Sequence, residues 1–270
     1  LSDEEKTPLD RRVRCPSIAA EKKYHRQLVA VVELENPRVR MSSFYVAAKK
    51  LFVSASPRPS YVLESFSQFL KLGEYVRTSG LKETPWFPHK FAMYEYIQRT
   101  VIGPEPIDFL EFGVFMGTSL GRWTEINKNE RSRFFGFDTF EGLPEPWKQV
   151  TGTVPAGHFS TKGETPPVTD GRVQFIKGLF QSTLESFVRR SPPINRLVIH
   201  VDADTYSAAL FVLSVLHPYM KRGTLVIFDE FGSVNCEFRA FCDYSASFYK
   251  SFRPIGHAGH FYDQVTMQVD

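Results

Sequence analysis

From Ile107 onward the chain runs as short apolar stretches that close on acids or glycines, each followed by a segment of helical spacing. The stretches IDFLEF, RFFGFD, VQFIKG, RLVIHVDAD and GTLVIFDEF alternate with TSLGRWTEIN, STLESFVRR, YSAALFVLSVLHPYM and CEFRAFCDYSASFYKSF. Parallel strands cannot be joined by a tight hairpin and need a long crossover, usually a helix. The alternation therefore predicts βαβ units and an α/β fold with a mostly parallel sheet. Two last runs, FRPIGH and QVTMQV, are separated by a short connection and predict an antiparallel pair closing one edge. The expectation is a seven-stranded sheet with helices on both faces.

The chain divides near residue 105. Residues 1–104 read as a helical N-terminal segment for acceptor or subunit contacts, with SYVLESFSQFLKLGEYVRTSG and FPHKFAMYEYIQRTVIG as its clearest helices. Residues 105–270 form the α/β domain. Within it, 144–171 is rich in Gly, Pro and Thr and lacks periodicity. Loops this long inside a domain are usually functional, so a lid is expected there.

At 42% hydrophobic and 23% charged residues, with no long uncharged apolar run, a membrane span is not expected. LSDEEKTPLDRRVR is charged where a leader would turn apolar, so no signal peptide is expected. A net charge of +3 with basic pairs scattered at Lys22-Lys23, Lys49-Lys50 and Arg189-Arg190 makes no basic stripe, which argues against a nucleic-acid partner. Cys15, Cys236 and Cys242 are too few and too scattered for a disulfide framework or zinc site and fit a reducing, cytoplasmic setting.

Ligands of open α/β sheets bind beyond the carboxyl ends of the strands. Those ends carry Glu111 to Gly113, Asp138, Gly178, Asp202 with Asp204, and Asp229 with Glu230. One such acid is readily a helix cap. Together they are hard to attribute to packing, because buried carboxylates are costly unless paired or bound to a cation. The stretch FLEFGVFMGTSLGRW lacks the middle glycine of the dinucleotide fingerprint G-x-G-x-x-G. Asp138 at the second strand end suits a ribose diol, so the pattern points to a nucleoside without a diphosphate. His200, two residues before Asp202, is a competing base, although a satisfied core histidine is the commoner outcome. His158, His257 and His260 have no fixed geometry. Tyr206 and Trp147 could serve a ligand or simple packing.

FLEFGVFMGTS, GFDTFEGLPEP and HVDADTYSAALFVLSVLHPYMKRGTLVIFDEFG together resemble the class I S-adenosylmethionine-dependent methyltransferases. The resemblance spans about residues 105–245 and is greatest to the macrocin O-methyltransferase group, which acts on sugars of antibiotics and related natural products. It implies a Rossmann-like fold and S-adenosylmethionine held by Glu111, Gly113, Gly117, Thr118, Ser119, Asp138, Thr139, Gly178, Leu179, Phe180 and Asp202. It further implies Mg2+ or another divalent cation at Asp202, Asp229 and Glu230, with Asp204 as general base. Glu230 stands where that group commonly has a second aspartate. The implied acceptor is a small hydroxylated molecule, a sugar or glycoside, and a homo-oligomer is expected. A catechol or phenol acceptor, or a non-catalytic binding protein of the same fold, are the alternatives.

Overall fold

The computed structural model describes residues 60–149 and 152–270. Cys15, Lys22-Lys23, Lys49-Lys50 and the first part of the expected N-terminal helical segment lie outside the described residues. Helix α1 (Ser60–Thr78) leads to a short strand β1 (Trp86–Phe87) and helix α2 (Lys90–Ile97). The alternating units follow: β2 (Ile107–Phe112), α3 (Thr118–Ile126), β3 (Arg133–Asp138), then a small hairpin β4 (Trp147–Gln149) and β5 (Gly152–Val154). After β6 (Val173–Lys177) come α4 (Phe180–Arg190), β7 (Arg196–Val201), α5 (Tyr206–Leu216), β8 (Leu225–Phe228) and α6 (Glu237–Phe248). Strands β9 (Phe252–Ala258) and β10 (Gln264–Val269) end the chain.

The main sheet has the order β1-β9-β10-β8-β7-β2-β3-β6. Strands β6, β3, β2, β7 and β8 run parallel, and β10 pairs antiparallel with both β8 and β9. All seven expected strands are present. The eighth is β1, whose Trp86 and Phe87 pair with His257 and Ala258 at the sheet edge. Two residues are too short to show a period, so nothing in the local sequence announces that strand. The order reverses between β2 and β7, which places the switch point where Glu111 and Asp202 emerge.

Alternation along the strands sorts the core into two faces. Leu110, Phe112, Phe135, Phe137, Ile199 and Phe228 face α4, α5 and α6. Ile107, Phe109, Phe134, Val198 and Ile227 face Met93, Tyr94 and Ile97 of α2 and Trp123 of α3. Phe109, Phe112, Phe134 and Phe137 are fully buried, each contributing about 1.5–3 kcal/mol by transfer from water. Helix α5 is capped by Thr205, whose hydroxyl accepts from the Ala208 N–H, and α4 ends on Arg189 and Arg190, which complement its dipole. Leu72 and Tyr75 of α1 pack on the first face, while Val62, Leu63, Phe66, Phe69 and Leu70 are exposed.

The stretch expected as a structureless lid is partly ordered by pairing. Trp147 lies opposite Val154 in the β4–β5 hairpin. Leu143 N–H donates to the His158 carbonyl, and Gly163 N–H to that of Phe140, which ties the segment back to the end of β3. Among the described residues no helix is long and apolar enough to cross a membrane.

Candidate active site

Sheet register sets Glu111 of β2 directly beside His200 of β7. Both side chains fall on the face occupied by Phe109 and Val198, where α2 brings Tyr94. His200 Nδ1 lies 2.9 Å from Glu111 Oε1, and Nε2 lies 3.1 Å from the Tyr94 hydroxyl and 3.5 Å from Asp229 Oδ1. Burial alone would lower the histidine pKa, but the bonds to Asp229 and Glu111 outweigh it and push it up to about 9. The flanking carboxylates thus favour the charged form of His200, which has no exposed surface. The core-histidine reading describes it; an accessible base it is not.

Asp202 and Asp229 converge on the same space. Main-chain bonds hold the two turns: Asp202 N–H donates to the Phe112 carbonyl and Asp229 N–H to that of Val201, each at 2.9 Å. One ligand atom each from His200, Asp202 and Asp229 lie within 4.8 Å of one another. Lys90, at the start of α2, places Nζ 3.0 Å from both oxygens of Asp229. Burial opposes charge on Asp229, but His200 and Lys90 outweigh it and hold its pKa below the usual range. On Asp202 burial and then the Asp229 charge outweigh the same two cations and drive its pKa well above that range. Lys90 is itself held above its ordinary value, because Asp229 and Asp202 overcome its desolvation.

Two further acids complete the rim. Burial first, then Asp229, pushes Asp204 up to about 7, and the same causes push Glu230 to about 7. Asp204 sits at φ 57, the left-handed region that aspartate enters more readily than most residues. Below them Glu237, fully buried, accepts from the Ala203 N–H at 3.2 Å and the Glu230 N–H at 2.9 Å. It thereby ties the turn after β7 to the turn after β8. Neither Lys90 nor Glu237 was identifiable from strand ends; both reach the site from other elements.

The β2–α3 loop is shaped by two features. Gly113 has φ 96, and a Cβ there would stand 1.8 Å from the Asp202 carbonyl oxygen, so only glycine lets the loop pass the turn after β7. Asp138 Oδ2 accepts from the N–H groups of Val114 and Phe115 at 2.8 and 2.9 Å, and Oδ1 accepts from Phe140 N–H at 2.8 Å. A carboxylate has about four acceptor positions, so these three bonds leave about one unfilled.

These elements surround a cavity of about 550 Å3. Of the expected residues, Gly113, Asp138, Thr139, Leu179, Phe180, Asp202, Asp204, Asp229 and Glu230 line it. Glu111, Gly117, Thr118, Ser119 and Gly178 do not: Glu111 lies buried behind the rim, and Thr118 and Ser119 open α3 after its N-cap Gly117. The hairpin segment adds Pro144, Glu145, Trp147 and Phe159, with Phe159 edge-on to Phe115 at 5.4 Å. Six of the lining residues are acids and none is Lys, Arg or His. His158, His257 and His260 lie outside it; His257 is buried with Nδ1 3.0 Å from the Thr84 hydroxyl. Tyr206 donates to Asp243 at 2.9 Å and packs under Arg239, a structural role.

Residues 110–231 match the family model described as a methyltransferase domain. The fold is that of solved methyltransferases. The structure of the O-methyltransferase NovP is 21% identical, with 66% of this chain and 78% of that chain covered at a TM-score of 0.53. The calicheamicin methyltransferase CalS11 is 18% identical, covering 87% of this chain and 93% of that chain, also at 0.53. Residues 110–231 are thus similar to a methyltransferase domain in sequence and share the fold of these enzymes. No curated protein sequence matches the chain. On this fold the expected acids gather at one rim, and the residues that fasten them come from α2 and α6.

Proposed function

We propose that this domain moves the methyl group of S-adenosylmethionine to a hydroxyl of a sugar or glycosylated small molecule, assisted by a divalent cation. The observation that carries the reading is the convergence of Asp202, Asp204, Asp229 and Glu230 on one cavity whose lining has no basic side chain. A cationic sulfonium beside a metal suits such a space.

The residues present fit the methyl donor. Glu111 Oε2, buried behind the rim, has no partner among the described residues, so the negative charge it carries when ionised would favour a cationic donor in the cavity beyond it. The open position of Asp138 suits a ribose hydroxyl, and Leu179 and Phe180 supply an apolar wall for adenine. No phosphate has to be seated, which agrees with the glycine pattern of the loop. Pro144, Trp147 and Phe159 line the same cavity, which supports a role for their segment in selecting the acceptor.

The donor set also fits a hard cation. Both ring nitrogens of His200 are engaged, so Asp202 and Asp229 would hold the ion, with waters completing the shell as magnesium prefers. Glu230 lines the same cavity but stands outside the group of His200, Asp202 and Asp229, so it would complete the rim from one side. A bound divalent ion stabilises developing charge on the acceptor oxygen. Asp204, poised near neutrality, takes the hydroxyl proton. S-adenosylmethionine bound there would supply the methyl group, which the acceptor oxygen would take as the C–S bond broke and its electron pair stayed on sulfur. Catalysis then rests on alignment inside the cavity, since the sulfonium is already activated.

The test is methyl transfer from labelled S-adenosylmethionine to a panel of sugars, glycosides and catechols. Labelled sugars or glycosides support the assignment. Exclusive labelling of catechols would replace the acceptor class, and donor binding without any transfer would leave a binding protein.

A further inference from the structure

The carboxylate edge that a metal would use on Asp229 is already occupied. Lys90 Nζ stands 3.0 Å from Oδ1 and 3.0 Å from Oδ2, straddling the carboxylate. The side chains are only 26% and 10% exposed, so solvent weakens this pair less than a surface pair. Asp202 also attracts the ammonium. The backbone that delivers Lys90 is fixed to the sheet edge: His257 N–H and Gly259 N–H donate to the carbonyls of Pro85 and Phe87, and the Trp86 indole N–H donates to the Gly259 carbonyl at 2.9 Å. The long aliphatic stem beyond that anchor retains its rotamers. The ammonium can therefore leave Asp229 without any movement of α2.

We propose that Lys90 is an internal competitor for the divalent cation: its ammonium holds Asp229 in the metal-free protein and must be displaced for an ion to bind at Asp202 and Asp229. This rests on the cation site proposed above. The arrangement does two things. It balances the Asp229 charge when no metal is bound. It also sets cation affinity, because each binding event must first break a partly buried ion pair and move one positive charge aside. A purely structural salt bridge would do only the first.

The test is Mn2+ binding, followed by the paramagnetic signal of the free ion, on the full chain without methyl donor or acceptor. Wild type, Lys90→Gln and Lys90→Arg are compared, with thermal melts confirming that each is folded. Removing a unit charge so close to the ion should make Lys90→Gln bind Mn2+ about tenfold tighter or more. Lys90→Arg, which keeps the charge, should bind no tighter than wild type. Equal or weaker binding by Lys90→Gln overturns the competition while leaving the cation site standing. Absence of Mn2+ binding in all three overturns both. A measurement on wild type alone guards against a variant that does not fold: acetic anhydride should label Lys90 faster when Mn2+ is added. Labelling that is unchanged or slower contradicts the displacement.

Discussion

Asp204 answers to two constraints, a left-handed backbone and a carboxyl group raised to about 7. Asparagine accepts the same backbone, so Asp204→Asn separates chemistry from folding. The expected result is a fall in kcat of about 10²-fold or more with a melting temperature no lower than that of wild type; retained turnover would remove Asp204 as the base. Because a general base must be ionised, kcat/KM should rise with pH through about 7 and level off above it. Gly113 is constrained by space. Gly113→Ala puts a methyl group 1.8 Å from a backbone oxygen at a positive φ, and should cost about 2–4 kcal/mol in denaturant unfolding; an unchanged midpoint would contradict the close approach. The rim acids were legible because strand ends are fixed by where apolar runs stop. Lys90 and Glu237 were not, since nothing local in HKFAM or CEFRA says that these side chains meet Asp229 or the Glu230 N–H.

At the level of elements, the chain's helices and long strands follow from periodicity, and the structure reproduces them. β1 and the β4–β5 hairpin do not, because strands of two or three residues owe their form to the partner across the ladder, as Trp147 does to Val154. Asp138 likewise joins elements: expected as a ribose acceptor, it also fastens the β2–α3 loop to the end of β3 through the N–H groups of Val114 and Phe115. Charge-assisted bonds of this kind are stronger than neutral ones. Asp138→Ala should therefore weaken S-adenosylmethionine binding about tenfold or more by calorimetry and speed amide exchange at Val114 and Phe115. Faster exchange with unchanged affinity would leave Asp138 a loop fastener and remove the ribose role.

Across the whole molecule, a net charge of +3 hides a strongly acidic cavity, and the imbalance has a consequence for stability. Asp204 and Glu230 have folded pKa values near 7, above their ordinary values of 3.8 and 4.5, and His200 is raised from 6.5 to about 9. A group that binds its proton more tightly when folded stabilises the fold below its unfolded pKa and loses that contribution as pH rises through the folded one. The two carboxyl groups act between about 4 and 7 and His200 between about 6.5 and 9, so the metal-free protein should melt at progressively lower temperature from pH 5 to pH 9. A flat or rising profile would contradict these environments. The fold class was visible in the sequence because alternation dictates an α/β sheet, whereas the strand order that fixes the switch point emerged only with the pairing of the strands. The cation balance of the cavity was not, because it depends on which distant charges the fold brings together.

Turnover measured with and without chelator, alongside donor affinity on the same samples, bears most directly on the proposal. Methyl transfer to a sugar or glycoside should cease in EDTA and return with excess Mg2+, while S-adenosylmethionine binds about equally in both conditions. Undiminished transfer in EDTA would contradict a cation-assisted reaction at Asp202 and Asp229.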